Sequence, residues 1–359
     1  MRKSAILFLV LSLVLASCRT SSAETTVLAG ESTSTSTSTS TSTSTTVTVS
    51  DGSESAPERT AAELAELEQA AAELAALERE QERLLAELLT YPMTLPLDSG
   101  PVTIEQRPER IVSLSASHTE MLYAIGAGEQ VVGTDLTSNY PPAAQATAKI
   151  DAFQFSIEEV AALEPDLVIL AFDFQGEGEA LSALGIPFLV LGPPDSLFTA
   201  FSQLSLVGAV SDHRMETEQV MDDLYLQLDR IQRAAYRIRG RTFYHEVDET
   251  LYSATSASFI GDLYRTLGLV NIADAAGLDS PFPQLSPEFI IDQNPEFIFL
   301  ADANFGVTVE SVAARPGWDT LTAVTGGKVV ALDGDLAGRW GPRTVELMDA
   351  ILAAVEERL

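Results

Sequence analysis

Nine side chains in the C-terminal three quarters of the sequence have types and positions suited to holding a ligand. Each lies in a loop or helix start that follows a predicted β-strand. They are Ser117, His118, Tyr140, Phe153, Phe172, Tyr252, Phe282, Arg339 and Trp340. Aromatic faces pack well on a large flat molecule, and a guanidinium can hold a carboxylate or phosphate through two parallel hydrogen bonds. The same aromatics could instead be core or interlobe packing, and Arg339 could pair with an acid.

An internal repeat points to two lobes built on one plan. The first copy contains Ser156, Glu158 and Pro165, and the second contains Ser286, Glu288 and Pro295, each 130 residues after its partner. Each copy predicts a serine N-cap, a glutamate in the first helical turn and a buried strand after the proline. Ligands of such sheets gather at the carboxyl ends of the strands. We therefore expect a ligand cleft between the lobes.

Strand-like apolar runs alternate with helical patterns across residues 91–359, which predicts the α/β fold class with parallel sheets. One long amphipathic helix is predicted over residues 212–240, with Asp212 as its N-cap and Gly240 at its end. This connecting helix divides the region into an N-terminal lobe, residues 91–211, and a C-terminal lobe, residues 241–359.

The N-terminus reads as an export signal followed by a lipid attachment site. Arg2 and Lys3 precede an apolar run of eleven residues, which is too short to span a bilayer. Residues 15–18, Leu-Ala-Ser-Cys, resemble the bacterial lipobox, in which the chain is cut before the cysteine and the thiol carries a lipid. We expect residues 1–17 to be the signal peptide and Cys18 to anchor the protein in the membrane. An ordinary secretory signal is the alternative.

A stalk should separate this anchor from the lobes. Residues 18–60 should form a lipid-anchored linker rich in Ser and Thr, including an uninterrupted run of these two residues at 32–46. Such a polar tract cannot bury enough surface to fold. Residues 61–90 are dominated by helix formers. They predict a spacer helix, with a short coiled coil as the alternative.

Composition excludes several classes of function. The chain has 359 residues, of which 52 are acidic and 21 basic, for a net charge of −31. Such a charge repels phosphate backbones, so nucleic acid is excluded as a partner. Because the chain has one cysteine and three separated histidines, we expect no metal site of its own. No nucleophile elbow, phosphate loop or HExxH motif occurs, and we expect no catalytic residues.

Residues 91–359 resemble the substrate-binding proteins of ABC importers for cobalamin, ferric siderophores and haem. The resemblance rests on short motifs in a fixed order. They are Pro108-Glu109-Arg110 with Thr119-Glu120, Gly126 and Gly128 with Gly133, Ser138-Asn139-Tyr140 before two prolines, Pro165-Asp166, Gly185 with Pro187, and Gly268 with Asn271.

The resemblance implies two Rossmann-like lobes joined by one rigid helix. It also implies that Glu158 and Glu288, one per lobe, dock on arginines of the ABC permease dimer; the alternative is that both only stabilise helix dipoles. The protein would be exported and lipid-anchored on the outer face of the cytoplasmic membrane, at the cell surface or in the periplasm. It would be a carrier and not an enzyme.

The implied ligand is a small-molecule metal chelate, and the protein would need no cofactor. We favour a cobalt corrinoid because the candidate loops are aromatic and residues 111–213 contain one basic residue, Lys149. A ferric chelate, either a hydroxamate siderophore or haem, is the alternative. Two other classes remain open from the sequence: an exported enzyme and a stalked adhesion module.

Overall fold

A short antiparallel hairpin precedes the first lobe in this computed structural model, which describes Gln69, residues 90–97 and residues 100–359. Its strands are β1 (Met93–Leu97) and β2 (Gly100–Ile104). The predictions for residues 1–17 and 18–60, Cys18 included, lie outside the described residues, as does nearly all of the spacer segment 61–90. Residues 91–359 form one unit.

The N-terminal lobe contains a five-stranded parallel sheet. Its strands are β3 (Ile111–Leu114), β4 (Val131–Asp135), β5 (Ala148–Ile150), β6 (Leu167–Leu170) and β7 (Phe188–Val190), in the order β5-β4-β3-β6-β7. Its helices are α1 (Ala116–Ala124), α2 (Ile157–Ala161), α3 (Glu177–Ala183) and α4 (Leu197–Ser211). Every residue of β3 and β6 is buried, as expected for strands covered on both faces.

The connecting helix is shorter than the sequence predicted. It is α5 (Arg214–Ala234), followed by a 3-10 turn, Ala235–Ile238. The prediction that Asp212 is its N-cap was wrong, because Asp212 has a φ of 64° and ends α4 in the left-handed conformation. The residue at the N-cap is His213. At 1.5 Å per residue α5 spans about 32 Å.

The C-terminal lobe contains a four-stranded parallel sheet. Its strands are β8 (Thr242–Glu246), β9 (Val270–Asn271), β10 (Phe297–Leu300) and β11 (Val329–Ala331), in the order β11-β10-β8-β9. Its helices are α6 (Phe259–Thr266), α7 (Pro287–Gln293), α8 (Val309–Ala313), α9 (Thr322–Thr325), α10 (Gly334–Ala337) and α11 (Thr344–Glu357).

Helix α5 packs against both lobes. The ring of Tyr225 meets that of Phe201 on α4 edge-on, with centroids 5.5 Å apart, and Arg230 forms an ion pair with Asp349 on α11. The predicted α/β fold with parallel sheets and a connecting helix is therefore confirmed. Within the described ranges, no helix combines the length and apolar character needed to cross a membrane.

Candidate functional site

A cleft of about 280 Å³ lies between the two lobes, at the carboxyl ends of β3, β4, β6 and β11. Strands of parallel sheets end at one edge, so the loops that follow them converge there. Five of the nine residues predicted from the sequence line this cleft: Ser117, Phe153, Phe172, Arg339 and Trp340. Its charged lining consists of Asp135, Asp335 and Arg339.

Three phenylalanines form an aromatic wall on the side of the N-terminal lobe. Phe153 follows β5, and Phe172 and Phe174 follow β6. The rings of Phe172 and Phe174 stack with their centroids 4.7 Å apart and their planes 13° apart. Phe153 is 67% exposed and Phe172 is 38% exposed. Such exposure is costly for aromatic side chains in water, and a bound apolar surface would relieve that cost.

The Arg339 guanidinium is already engaged by four oxygens of the protein. It donates to Glu120 Oε1 at 2.7 Å, to the Thr137 carbonyl at 3.0 Å, and to Asn139 Oδ1 and Asp335 Oδ1 at 2.9 Å each. Of the two interpretations that the sequence left open, pairing with an acid is the one observed. The partner, Glu120, is buried.

Trp340 joins the lobes as well as lining the cleft. Its backbone N–H donates to Ser117 Oγ at 3.1 Å, and its indole N–H donates to Gln203 Oε1 at 3.0 Å. Ser117 and Gln203 belong to α1 and α4 of the N-terminal lobe. The Trp340 ring is half-buried, and its edge meets the His118 ring with centroids 5.9 Å apart.

His118 lies in the core and not in the cleft lining, contrary to the prediction from the sequence. It has no exposed surface, because the first turn of α1 directs it inward beneath Trp340. Burial lowers the pKa of His118 to about 4, and only the hydrogen bond to Gln203 opposes this shift. The imidazole is therefore neutral at physiological pH, and it presents no atom to a molecule in the cleft.

Tyr140 is exposed beside the cleft and is covered by a cation. The guanidinium of Arg343 lies over its ring, 4.0 Å from the centroid. The nearby ammonium of Lys149 is held by Thr134 Oγ1 at 2.8 Å and by the carbonyls of Ser138 and Ala144 at 2.6 and 3.1 Å. Both cations are thus engaged with groups of the protein itself.

Tyr252 and Phe282 lie in the C-terminal lobe, outside the residues that line the cleft. Tyr252 follows β8, and its backbone pairs with Gln284 in an antiparallel bridge. Side chains two residues apart share one face of an extended segment, so Phe282 is the diagonal neighbour of Tyr252. Both rings are exposed. The C-terminal lobe therefore presents two exposed aromatic rings on paired segments that follow β8 and β9.

The sequence did not reveal the side chains that hold Arg339. Asp335 and Arg339 are four residues apart at helix α10, a spacing that could have shown their ion pair. Glu120 and Asn139 carry no such signal, because they lie about 200 residues from Arg339 in the chain. With 52 acidic residues available, the sequence does not select Glu120.

Glu158 and Glu288 are both exposed and hold equivalent positions in the two lobes. Each is the second residue of its helix, α2 or α7, and each helix has a serine N-cap. Ser156 Oγ accepts the Glu159 N–H at 3.3 Å, and Ser286 Oγ accepts the Phe289 N–H at 3.1 Å. The predicted repeat is therefore confirmed: each lobe has a serine N-cap, a glutamate in the first helical turn and a buried strand after it.

A second cavity, of about 250 Å³, lies within the C-terminal lobe and is lined by eight residues between Thr255 and Pro281, none of which is aromatic. Its Asp274 carboxylate already accepts the backbone N–H and the hydroxyl of Ser256, at 2.8 and 2.6 Å. The interlobe cleft is therefore the better candidate site. Among the described residues, no three His, Cys, Asp or Glu side chains are grouped to hold a metal ion.

The cleft between two parallel-sheet lobes has counterparts among known proteins. Residues 111–336 match the family described as periplasmic binding protein. The chain belongs to that family. An uncharacterised ABC transporter substrate-binding lipoprotein of Bacillus subtilis is 28% identical over 275 residues, covering 74% of this chain and 86% of that protein.

Two other proteins similar to this chain have named ligands. The vitamin B12-binding protein of Pectobacterium atrosepticum is 25% identical over 259 residues, covering 70% of this chain and 89% of that protein. The haem-binding protein of Roseiflexus sp. RS-1, solved in its apo form, superposes with a TM-score of 0.63 at 25% identity, covering 70% of this chain and 98% of that one.

Proposed function

We propose that this protein is the exported substrate-binding lipoprotein of an ABC importer, and that it carries a metal chelate of low negative charge, with a corrinoid as its preferred ligand. Membership of the periplasmic binding protein family and the similarity to a substrate-binding lipoprotein support the importer role. The observation that carries the ligand class is the aromatic cleft whose one lining cation, Arg339, is already occupied.

The charges of the cleft favour a neutral or cationic ligand. Asp135 and Asp335 give the lining two carboxylates against one guanidinium. A haem would bring two propionates and a ferric catecholate several negative charges, and each would lie near these carboxylates in a partly desolvated space. Arg343 and Lys149 cannot compensate without leaving their present partners.

The shape and polarity of the lining suit a corrinoid. Phe153, Phe172 and Phe174 offer aromatic faces to a broad ring. The hydroxyls of Ser115, Ser117 and Thr137 lie in the same lining and can exchange hydrogen bonds with peripheral amides. A corrinoid larger than the cavity would extend toward Tyr252 and Phe282, which we propose as its contacts on the C-terminal lobe.

Delivery would use Glu158 and Glu288 as the two contacts with the permease. A pair of exposed carboxylates at equivalent positions in two similar lobes matches a partner made of two identical subunits. Cys18 would carry the lipid that keeps the protein at the outer face of the membrane. The protein would release its ligand chemically unchanged.

Isothermal titration calorimetry of the purified protein tests the ligand class. Cyanocobalamin, a ferric hydroxamate and haem are titrated separately under the same buffer conditions. We expect cyanocobalamin to bind more tightly than about 10 μM, which corresponds to about −7 kcal/mol. Tight hydroxamate binding without cobalamin binding would replace the corrinoid by a neutral siderophore. Preference for haem would overturn the charge argument.

A further inference from the structure

We propose that residues 339–343 form an interlobe latch that sets the width of the cleft before any ligand arrives. This segment follows α10 in the C-terminal lobe, yet most of its polar contacts are with the N-terminal lobe. The consequence for ligand affinity rests on the proposed function, but the latch itself is a property of the ligand-free protein.

Arg339 is the centre of the latch. It is 7% exposed, and its partner Glu120 on α1 is 3% exposed. Burial raises the pKa of Glu120, and the guanidiniums of Arg339 and Arg343 oppose that rise. Breaking a buried charge pair leaves the remaining charge uncompensated in a desolvated space. The two lobes therefore resist separation at this point.

A second guanidinium and the tryptophan reinforce the same contact. Arg343 donates to Glu120 Oε1 at 3.3 Å, so this oxygen accepts hydrogen bonds from both arginines. Trp340 adds its two hydrogen bonds to Ser117 and Gln203. Arg339, Trp340 and Arg343 of the C-terminal lobe thus all form hydrogen bonds with helices of the N-terminal lobe.

Gly341 allows the approach to be this close. A Cβ at residue 341 would lie 3.1 Å from Glu120 Oε2 and 3.3 Å from the carbonyl oxygen of Ser117. These distances are tighter than ordinary van der Waals contact, and the second neighbour is backbone that cannot rotate away. A side chain at this position would push the latch segment away from α1.

The latch also positions the loop after β4. Arg339 holds the Thr137 carbonyl and the Asn139 side chain, and Asn139 Nδ2 donates in turn to Asp335 Oδ2 at 2.7 Å. Thr137 lines the cleft, so fixing this loop fixes part of the wall. Arg339 therefore acts as a positioning residue through its hydrogen bonds to this loop.

Hydrogen–deuterium exchange of the ligand-free, full-length protein tests the latch. The variants are Arg339→Gln and Gly341→Ala, and Arg233→Gln is the matched control, because it breaks an exposed ion pair with Asp229 on α5. We expect the amides of Thr137 and Trp340 to exchange at least about tenfold faster in both latch variants, while α11 and β10 keep their wild-type protection. The control should match the wild type.

Two results would overturn the latch: unchanged exchange in both variants, or a uniform increase over the whole of residues 91–359. The second would mean that Arg339 only contributes to global stability. Gly341→Ala keeps every charged group, so it still reports if Arg339→Gln fails to fold.

Ligand affinity provides a second measurement on the same variants. If loss of the latch reduces the competent population to about one tenth, the Kd for cyanocobalamin rises about tenfold. A wild-type protein that binds no cyanocobalamin would refute the proposed ligand, and the exchange experiment would still decide on the latch. Wild-type affinity in variants with fast local exchange would refute the positioning role.

Discussion

Glu158 and Glu288 occupy the same place in two short helices, each as the second residue after a serine N-cap and each exposed. In the N-terminal lobe the Ser156 hydroxyl also donates to Glu158 Oε2 at 3.2 Å. In both helices the serine hydroxyl oxygen caps the helix by accepting a backbone N–H, and neither glutamate side chain is needed for that cap. The two carboxylates are thus available for a contact outside the chain.

Reversal of both charges tests that contact. The double variant Glu158→Arg and Glu288→Arg should abolish uptake of the ligand by cells, because each introduced arginine would be repelled by the permease arginine that we propose as the partner of the glutamate. The affinity of the purified protein for the ligand should stay within about twofold, since neither residue lines the cleft. Transport assays and calorimetry measure the two effects.

The matched control reverses two exposed acids on the same helices, Glu159 and Asp292. It makes the same change in net charge, and uptake should remain close to that of the wild type. Equal loss of uptake in both double variants would show that the overall charge of the face matters and not the two glutamates.

Lipid attachment at Cys18 predicts a simple fractionation result. Cys18→Ala should move the protein from the membrane fraction to the soluble fraction, because it removes the thiol that we propose to carry the lipid. Immunoblotting of separated fractions measures the change, with Ser22→Ala as the control. Retention of the Cys18→Ala variant in membranes would contradict the anchor.

A buried acidic pair in the C-terminal lobe predicts an unusual dependence of stability on pH. Glu246, at the end of β8, is held by Arg315 through two hydrogen bonds of 2.6 Å. Asp302 is 2% exposed, and neither of its carboxylate oxygens has a hydrogen-bond partner. Burial and the charge of Glu246 raise the pKa of Asp302 to about 6.

The direction of the change in stability with pH follows from the difference in proton binding between the folded and unfolded states. Because the pKa is raised in the folded state, the unfolded chain loses its proton first, and stability falls as pH rises from about 4 through about 6. Asp302→Asn removes this ionisation, so at pH 7.5 its free energy of unfolding should exceed that of the wild type by about 3 kcal/mol, and its unfolding temperature should be higher.

Thermal unfolding at pH 4 and pH 7.5 measures this difference, and the gain should shrink toward zero at pH 4. Asp319→Asn, at an exposed acid of the same lobe, is the control and should change nothing. An equal effect of Asp302→Asn at both pH values would show that the side chain matters through packing and not through its proton.

The sequence predicted most elements of the fold because their patterns are local. Helix α11 (Thr344–Glu357) and β10 (Phe297–Leu300) follow the alternation of apolar runs and helical patterns in the sequence. Helix α4 was not predicted, because eight of its 15 residues are buried and no polar stripe marks one face. The hairpin β1–β2 was also missed, since prolines in both strands weaken the strand signal.

The site was only partly predictable for a different reason. Ser117, Phe153, Phe172 and Trp340 were found because residues after parallel strands converge at one edge. His118 was misplaced because a single residue along the start of α1 changes the side chain from the cleft to the core. The partner of Arg339 depends on how two lobes meet, which no local pattern records.

The central claim is that the aromatic cleft between the lobes binds a corrinoid, and titration of cyanocobalamin into three proteins tests it most directly. They are the wild type, the double variant Phe153→Ala and Phe172→Ala, and Phe198→Ala, which removes an exposed aromatic of α4 that does not line the cleft. The account predicts a wild-type Kd below about 10 μM, at least tenfold weaker binding by the double variant, and wild-type affinity for Phe198→Ala. Absence of wild-type binding, or equal affinity in all three proteins, would contradict it.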